Sequence, residues 1–295
     1  MKFFLKLLVL IIILILTIIY RENISNFIIN IIFPKEIHIQ EPNDYAINYK
    51  IKYVEQVNDF YAKNSEQLLN IVYTLLNNGH DNFYFYCEYE ECENDINKFT
   101  EDGTFLNINS FVHPYNSYQK LFFNTNSLGK VTINVDKVYN ENNINEINNK
   151  IDKIMQDILK DNMDIKEKIT LFHKYIIDIT TYDNAYFEQN LDDIYNPSHS
   201  AIGPLFNGKA LCGGYTDAMA IFLNKLKIPN YRISSETHIW NLVKLDNKCY
   251  HLDLTWDEPV NDFYHNTFLL ITIEELEQLD TYHHNFDKNI FSEAS

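Results

Sequence analysis

The most constraining feature of the sequence is a stretch, residues 207–256, in which a cysteine opens a helical pattern and two strand patterns follow. Apolar side chains after Cys212 recur at helical spacing up to Pro229, at Tyr215, Met219, Phe222, Leu223 and Leu226. The spacing predicts a buried helix with Cys212 at its N-terminus, where unpaired N–H groups and the helix dipole stabilise a thiolate, the form that attacks a carbonyl. Gly213 and Gly214 are poor helix formers, which predicts close approach of another backbone or of a substrate.

The two strand patterns predict a hairpin that brings a histidine to an aspartate. Residues 238–245 and 248–255 alternate as strands do, and Asp246-Asn247 is a two-residue turn between them. In that register His238 and Asp253 are diagonal neighbours on one face, about 7 to 8 Å apart by backbone and closer at their side chains. A three-residue loop would place them on opposite faces, so the prediction depends on the register.

Each of these residues has a structural interpretation when it is taken alone. Cys212 could be a buried structural cysteine, and His238 a hydrogen-bonded packing residue. The combination of a cysteine at a helix start with an adjacent histidine and aspartate favours nucleophilic catalysis instead.

Three blocks of the sequence resemble the motif blocks of the transglutaminase-like superfamily. They are Lys-Ala-Leu-Cys-Gly-Gly-Tyr at 209–215, His-Ile-Trp-Asn-Leu-Val-Lys-Leu at 238–245, and Tyr-His-Leu-Asp-Leu-Thr-Trp-Asp at 250–257. Segments around Tyr182 and His199 also resemble those that precede the cysteine in bacterial members. The resemblance covers roughly residue 164 to the C-terminus. It implies a papain-like α+β core, in which the nucleophile helix packs on an antiparallel sheet.

The resemblance also implies a role for each residue of the site. Cys212 would be the nucleophile, His238 the general base and Asp253 the residue that orients the histidine. Because the superfamily includes cross-linking enzymes, peptidases and amidases, we expect thioester chemistry on a protein or peptide amide, a cell-wall peptide being one candidate, with water or an amine as acceptor. The predicted cleft residues are Gly213, Gly214, Tyr182, His199, Trp240 and Trp256; aromatic packing is the alternative role for the two tryptophans.

Two other classes of function stay open on the sequence alone. A surface module that binds peptide or glycan could keep the same fold without needing all of Cys212, His238 and Asp253. A metal site could instead use these residues, with His251 in place of the aspartate and with His283-His284 added. Because the spacing matches none of the usual zinc patterns, the sequence predicts no metal and no cofactor.

Composition limits the partners of the protein. Its 295 residues are 46% hydrophobic, enough for one large or two ordinary folded domains. The formal net charge is −17, which argues against nucleic acid binding through a general basic surface.

The N-terminus predicts a membrane segment. Residues 7–20 are uncharged and almost wholly apolar. Counted from Phe3, with Lys6 reaching back to the headgroups, the run is 18 residues long and just spans a bilayer. Residues 17–20 are bulky and offer no small-residue cleavage site. We therefore expect 1–34 to be an uncleaved anchor with the catalytic domain outside the cell; a cleaved signal and a secreted form are the alternative.

Residues 35–141 are predicted to form a smaller α/β accessory domain that carries no chemical motif. Residues 65–77 have apolar side chains at helical spacing and are followed by Gly79. The predicted strands are 82–89, one that includes 131–135 and, as a third, 105–112. The domain could present substrate to the catalytic part or serve as a spacer above the membrane.

Three other cysteines need an interpretation. Cys87 and Cys92 lie five residues apart among glutamates, and could form a disulfide in an exported protein or bind a metal with help. Their acidic surroundings make them unlikely nucleophiles, because negative charge disfavours a thiolate. Cys249, in the second hairpin strand, is the thiol that we expect to complicate labelling of Cys212.

Two helices are predicted to lead into the catalytic domain, residues 142–295. The first has isoleucines at helical spacing from near Asn143, and the second begins with a capping box of Asp164 and Glu167. Residues 182–204 form a long polar and aromatic loop, which either walls the cleft or only connects its neighbours.

Overall fold

The structure describes most of the chain beyond residue 59. In the computed structural model, the described residues are Lys6, Tyr20, 60–99, 108–126, 128–185, 196–258 and 266–294. The predicted anchor, 1–34, lies outside the described residues apart from Lys6 and Tyr20. Within the described ranges, no helix has the length and apolar character needed to cross a membrane.

The first half of the described chain builds a four-stranded sheet with two helices. In chain order its elements are β1 (Tyr61–Ala62), α1 (Ser65–Asn77), β2 (Asn82–Cys87), α2 (Cys92–Lys98), β3 (Tyr118–Thr125) and β4 (Lys130–Lys137). The strand order is β1-β2-β4-β3, parallel only between the first two. Phe83, Phe85, Val131 and Ile133 alternate with more exposed neighbours and bury one side of the sheet. The predicted helix 65–77 and the strands that begin near 82 and 130 are confirmed.

The predicted strand at 105–112 is wrong in its described part. Residues 108–111 are helical, and the edge strand of the sheet is instead β3. The apolar residues of the segment are spaced three and four apart and are buried, so this short run fits a helical period too: they are Ile108, Phe111 and Val112. The side chain of Asn109 bonds both the N–H and the carbonyl of Tyr118, at 3.1 and 2.9 Å, which fixes the segment to the start of β3.

The cysteine pair of the first half is oxidised. Cys87, at the end of β2, and Cys92, at the start of α2, form a disulfide with their Cα atoms 6.1 Å apart. Of the two alternatives that the sequence left open, disulfide or metal ligand, the structure shows the disulfide.

Two amphipathic helices follow, α3 (Glu141–Ile158) and α4 (Ile165–Ile179). The side chain of Asn140 accepts from the N–H of Asn143 at 2.9 Å, so α3 begins two residues before the predicted start. The predicted capping box of Asp164 and Glu167 is present at the start of α4. The faces of α3 and α4 share one buried core, which includes Ile147, Ile151, Ile169, Phe172 and Ile176.

The second half pairs a buried helix with an antiparallel sheet. Its elements are β5 (Thr181–Tyr182), β6 (Lys209–Ala210), α5 (Cys212–Lys225), β7 (Asn230–Ser234), β8 (Ile239–Leu245), β9 (Lys248–Leu252), β10 (Leu269–Ile271) and α6 (Ile273–Leu279). The sheet order is β10-β9-β8-β7, and β5 and β6 form a separate parallel pair. Phe222 of α5 stacks on Phe172 of α4 with ring centroids 3.9 Å apart. The described chain is therefore a mixed α+β protein with antiparallel sheets.

The hairpin register is the one that the sequence predicts. Leu245 pairs with Lys248, and Asp246 and Asn247 form the two-residue turn. Both turn residues have positive φ, 49° and 62°, as the tight turn of a twisted hairpin requires. The paired part of β9 ends at Leu252, three residues earlier than predicted.

A buried arginine connects the two halves. Arg232 on β7 donates to Asp217 of α5 at 2.6 Å, and it also donates to the carbonyls of Asn109 and Val112 in the first half. Tyr139 donates to the same carboxylate at 2.6 Å. The described residues from 60 onward belong to one compact unit, so the boundary near residue 142 stays a prediction.

Candidate active site

Cys212 is the first residue of α5, as predicted, and its thiol is partly exposed. Leu211 precedes it in extended conformation and offers no side-chain cap. The N–H groups of Cys212 and Gly213, at the first two helical positions, have no acceptor within the helix. A partly exposed thiol therefore lies beside donors that could bind an oxyanion.

The two glycines after Cys212 admit a neighbouring backbone. A Cβ atom on Gly213 would lie 2.8 Å from the carbonyl oxygen of His199, and one on Gly214 would lie 2.4 Å from that of Ser198. The turn Pro197–His199 thus packs directly on the start of α5. Of the two predicted reasons for the glycines, close approach of a backbone is the one that the structure shows.

His238 and Asp253 meet just beyond the ends of the paired strands. His238 precedes β8, and its N–H donates to the Ser235 side chain at 3.1 Å in the tight turn that joins β7 to β8. Asp253 follows β9, and its N–H donates to the carbonyl of Phe268 at 3.0 Å. The Nε2 atom of His238 lies 2.5 Å from Oδ2 of Asp253. The predicted contact between the two side chains is therefore present.

The other oxygen of Asp253 explains why the strand stops at Leu252. Oδ1 accepts from the backbone N–H of Thr255 at 2.9 Å and, more weakly, from that of Trp256 at 3.4 Å. An aspartate that bonds backbone donors two and three residues ahead stabilises a turn. The same residue thus ends the strand and faces the histidine.

His238 also reaches the thiol. Its ring contacts Asp253 through Nε2 and also interacts with the side chain of Cys212. Burial lowers the pKa of His238, but the charge and hydrogen bond of Asp253, together with Cys212, outweigh it and raise the pKa to about 10. Burial likewise raises the pKa of Asp253, but His238 and His284 outweigh it and hold that pKa well below its usual range. The pair is therefore an imidazolium and a carboxylate at neutral pH.

A second histidine contacts the same aspartate, and the sequence did not assign it this position. The Nε2 atom of His284 lies 2.9 Å from Oδ2 of Asp253, and its Nδ1 lies 2.8 Å from Oδ2 of Asp280. The sequence drew attention to His283-His284 only as extra ligands of a metal. Nothing in the local pattern could place His284 on Asp253, because the contact depends on how the chain after α6 folds back.

The atoms of His238, Asp253 and His284 that meet here are also of the types that bind metals. Their separations of 2.5 and 2.9 Å are those of hydrogen bonds. Two ligands of one tetrahedral zinc ion would lie about 3.3 Å apart, given metal–ligand bonds of about 2.0 Å. The arrangement is thus that of a hydrogen-bonded carboxylate rather than of a preformed metal centre.

The two predicted tryptophans have different environments. Trp240 is completely buried, stacks on His238 with centroids 5.6 Å apart, and donates its N–H to His251 at 3.0 Å. Trp256 is 37% exposed, with its ring centroid 6.2 Å from that of His238. Trp240 therefore fixes the histidine ring from inside, and Trp256 is the tryptophan that a substrate could contact.

Tyr182 lies close to the thiol. Its backbone in β5 pairs with Ala210 of β6, two residues before Cys212, and its N–H donates to Glu258 at 2.6 Å. Burial raises the pKa of its phenol to about 12, with further increases from the charges of Cys212, Glu258 and Asp253. The predicted loop 182–204 thus begins in a short strand; its residues 186–195 lie outside the described ranges.

Glu258, half-buried beside Tyr182, is a neighbour of the site that the sequence analysis missed.

Three further residues complete the surroundings. Burial lowers the pKa of His199, although the charge of Asp183 opposes this. Burial also lowers the pKa of His251 to about 4, and its ring is used by Trp240 and by the carbonyl of Ala294. Burial, followed by the charge of Glu293, raises the pKa of Cys249. His251 is thus a structural residue, and Cys249 is a poor competitor for alkylation at neutral pH.

The fold and the site define an α+β protein with a buried imidazole and carboxylate beside a helix-terminal thiol. No family model matches the chain, and no curated protein matches it in sequence. Among solved structures it is similar to a TGase, with 16% identity, a TM-score of 0.38, and coverage of 76% of this chain and 64% of the other. It is also similar to a candidate cysteine protease from Cytophaga hutchinsonii, with 9% identity, a TM-score of 0.30, and coverage of 50% and 65%. The chain spans less than two thirds of the length of either structure.

Proposed function

We propose that the protein is a cysteine-dependent acyl transferase that forms a thioester with the acyl group of a protein or peptide amide. The observation that carries the proposal is the position of His238, which contacts Asp253 through Nε2 and interacts with the side chain of Cys212. A thiol at a helix N-terminus beside an imidazolium is the environment that favours a thiolate. The papain-like transglutaminase core implied by the sequence resemblance would provide this same arrangement.

The first half-reaction forms a carbon–sulfur bond and breaks a carbon–nitrogen bond. The thiolate of Cys212, whose proton is held by His238, attacks the amide carbonyl carbon. The N–H groups of Cys212 and Gly213 stabilise the negative charge that develops on the carbonyl oxygen. His238 then gives its proton to the leaving nitrogen, so that an amine departs and the acyl group stays on the sulfur.

The second half-reaction returns the free enzyme. Water or an amine attacks the thioester carbon, His238 accepts a proton from the attacking group, and the carbon–sulfur bond breaks with the thiolate as leaving group. Asp253 fixes the ring of His238 and stabilises its charged form throughout. Water gives hydrolysis and an amine gives cross-linking. We expect the partly exposed Trp256 to influence which of the two attacks the thioester, by limiting the access of water.

We also propose that residues 1–34 anchor the protein in the membrane with its site on the outside, where a cell-wall peptide would be one accessible substrate. The disulfide between Cys87 and Cys92 supports this location, since disulfides persist in oxidising compartments. The accessory domain, 35–141, and the catalytic domain, 142–295, would then both lie outside.

Alkylation of the free cysteines from about pH 4 to about pH 9 tests the proposal on the full chain. We expect iodoacetamide to label Cys212 at a rate that is already near its plateau below about pH 7, whereas Cys249 should react only at higher pH because its pKa is raised. Cys212→Ala should lose the labelling seen below about pH 7, and the matched variant Cys249→Ala should retain it. If Cys212 reacts only near pH 8 to 9, as an ordinary thiol does, the site is not activated and a binding module becomes the better account.

A further inference from the structure

His284 reaches Asp253 from the segment that follows α6. Asp280, directly after that helix, accepts the backbone N–H groups of His283 and His284 on Oδ2, both at 2.9 Å. The imidazole of His284 lies in the same compact turn and is completely buried. Its ring packs against aromatic side chains on several sides, with centroid distances of 4.7 to 5.3 Å, namely Trp240, Trp256 and Phe268. The ring is therefore fixed in orientation as well as in place.

Both nitrogens of this ring face carboxylate oxygens. Nε2 meets Oδ2 of Asp253 at 2.9 Å, and Nδ1 meets Oδ2 of Asp280 at 2.8 Å. An ionised carboxylate only accepts hydrogen bonds, so each ring nitrogen has to donate. Both carboxylates are ionised at neutral pH, since the pKa of Asp253 is held well below its usual range and that of Asp280 is lowered to about 2, where bonds from His284 and backbone groups outweigh burial. The geometry thus assigns a proton to each nitrogen.

We propose that His284 is a positioning residue: a doubly protonated imidazole that holds the carboxylate of Asp253 in place and ties it to Asp280, so that Asp253 presents Oδ2 to His238. The proposal rests on the proposed function, because it concerns the same site. The proposal adds His284 as a third charged side chain to His238 and Asp253. His284 touches neither the thiol nor a substrate, so it acts only through Asp253.

The charges around His284 are consistent with this role. Asp253 and Asp280 are its two carboxylate partners, the ring of His238 lies 5.2 Å away edge-on, and His251 is near enough to feel the charge of His284. Positive and negative groups alternate from Asp280 through His284 and Asp253 to His238. Without His284, Oδ1 of Asp253 would keep its two backbone donors, whereas Oδ2 would keep only the bond from His238.

A pair of alkylating reagents measures whether His238 still carries its charge beside the thiol. Iodoacetate is an anion and iodoacetamide is neutral, so an imidazolium next to Cys212 raises the ratio of their rates. We expect His284→Ala in the full chain to lower this ratio several-fold at about pH 8.5, because a carboxylate of Asp253 that is no longer held in place stabilises the charge of His238 less. His284→Gln should recover most of the ratio, because the amide of Gln can still donate to Asp253. The matched control is His283→Gln, which removes a neighbouring and half-exposed histidine that makes no bond to Asp253.

A ratio that stays at the wild-type value in His284→Ala overturns the proposal. Loss of packing alone would lower stability and leave the ratio unchanged, so unfolding in urea is measured beside it. If the alanine variant does not fold, NMR of the wild-type protein with ¹⁵N-labelled histidine tests the proposal. The ring of His284 should show two protonated nitrogens at neutral pH, and its signals are identified by their absence in His284→Gln. A single ring proton there contradicts the proposal. Failure of the proposed function would look different, since wild-type Cys212 would then show no advantage over Cys249 with either reagent.

Discussion

The imidazole of His238 and the carboxylate of Asp253 meet at 2.5 Å beyond the last pair of the β8–β9 ladder. That last pair is Asn241 with Leu252, so both functional residues lie where the strands have stopped pairing. The backbone there is held by other bonds, from Asp253 to Phe268 and from His238 to Ser235. The hairpin sets the distance between the two residues, and the flanking turns aim their side chains.

The charge of Asp253 should control the acid–base behaviour of His238. Asp253→Asn removes the group that raises the pKa of His238 to about 10, so the histidine should lose its proton at a lower pH, nearer its usual value of about 6.5. We expect acylation of Cys212 by p-nitrophenyl acetate to fall by about 10² to 10⁴-fold, as for the equivalent change in a Ser-His-Asp triad. Asp246→Asn, in the hairpin turn, is the control for loss of one negative charge. An unchanged rate in Asp253→Asn would exclude Asp253 from the mechanism.

The His238–Asp253 pair should stabilise the fold in a defined pH window. Because the pKa of His238 is raised to about 10, its contribution is complete below its unfolded value of about 6.5 and is lost as the pH rises through about 10. Because the pKa of Asp253 is lowered, its contribution is present above the unfolded value of about 3.9 and is lost as the pH falls further. The free energy of unfolding of wild type minus that of His238→Gln should thus be larger at about pH 5.5 than at about pH 9.5. Urea titrations at both values check this, and equal differences would contradict it.

A methyl group at Gly214 should destabilise the start of α5. It would lie 2.4 Å from the carbonyl oxygen of Ser198 and 3.0 Å from that of Ser200, both of which are backbone atoms. Alanine is the better helix former by about 1 kcal/mol, but overpacking costs about 1 to 3 kcal/mol, so we expect Gly214→Ala to lower the free energy of unfolding or to displace the turn at 197–199. Lys153→Ala, at an exposed position of α3, is the control for alanine in a helix. Wild-type stability together with wild-type labelling of Cys212 would show that the contact is not required.

Trp256 should protect the thioester from water. Its ring is 37% exposed and lies 6.2 Å from that of His238. We expect the acetyl thioester formed on Cys212 from p-nitrophenyl acetate to be hydrolysed several-fold faster in Trp256→Ala, and close to the wild-type rate in Trp256→Phe, as mass spectrometry of the intact chain can follow. Tyr282→Ala removes another exposed aromatic ring and should have no effect. Equal thioester lifetimes in all variants would assign Trp256 to packing alone.

Local patterns were sufficient for the elements that carry the predicted site. The helix at Cys212, the two-residue turn at 246–247 and the contact of His238 with Asp253 all follow from periodicity and turn chemistry. Helix α1 also has the predicted bounds, because its apolar spacing and the Gly79 signal agree.

What the sequence missed depends on contacts between distant segments. Residues 108–111 are helical, because a short apolar run fits the period of a helix as well as that of a strand. The edge strand of the sheet is β3 instead. His284 could not be placed on Asp253, since 31 residues and the folding of the chain after β9 separate them. Likewise, alternation along β8 could place Trp240 near His238, but not show that it is completely buried.

The turn at Asp246-Asn247 sets the register in which β8 and β9 pair. Side chains alternate between the two faces of a sheet, so a slip of one strand by a single residue would place His238 and Asp253 on opposite faces, even though the turn lies several residues from either side chain. Relatives of this protein that keep the same chemistry should therefore keep this strand pairing, whatever the length of their turn.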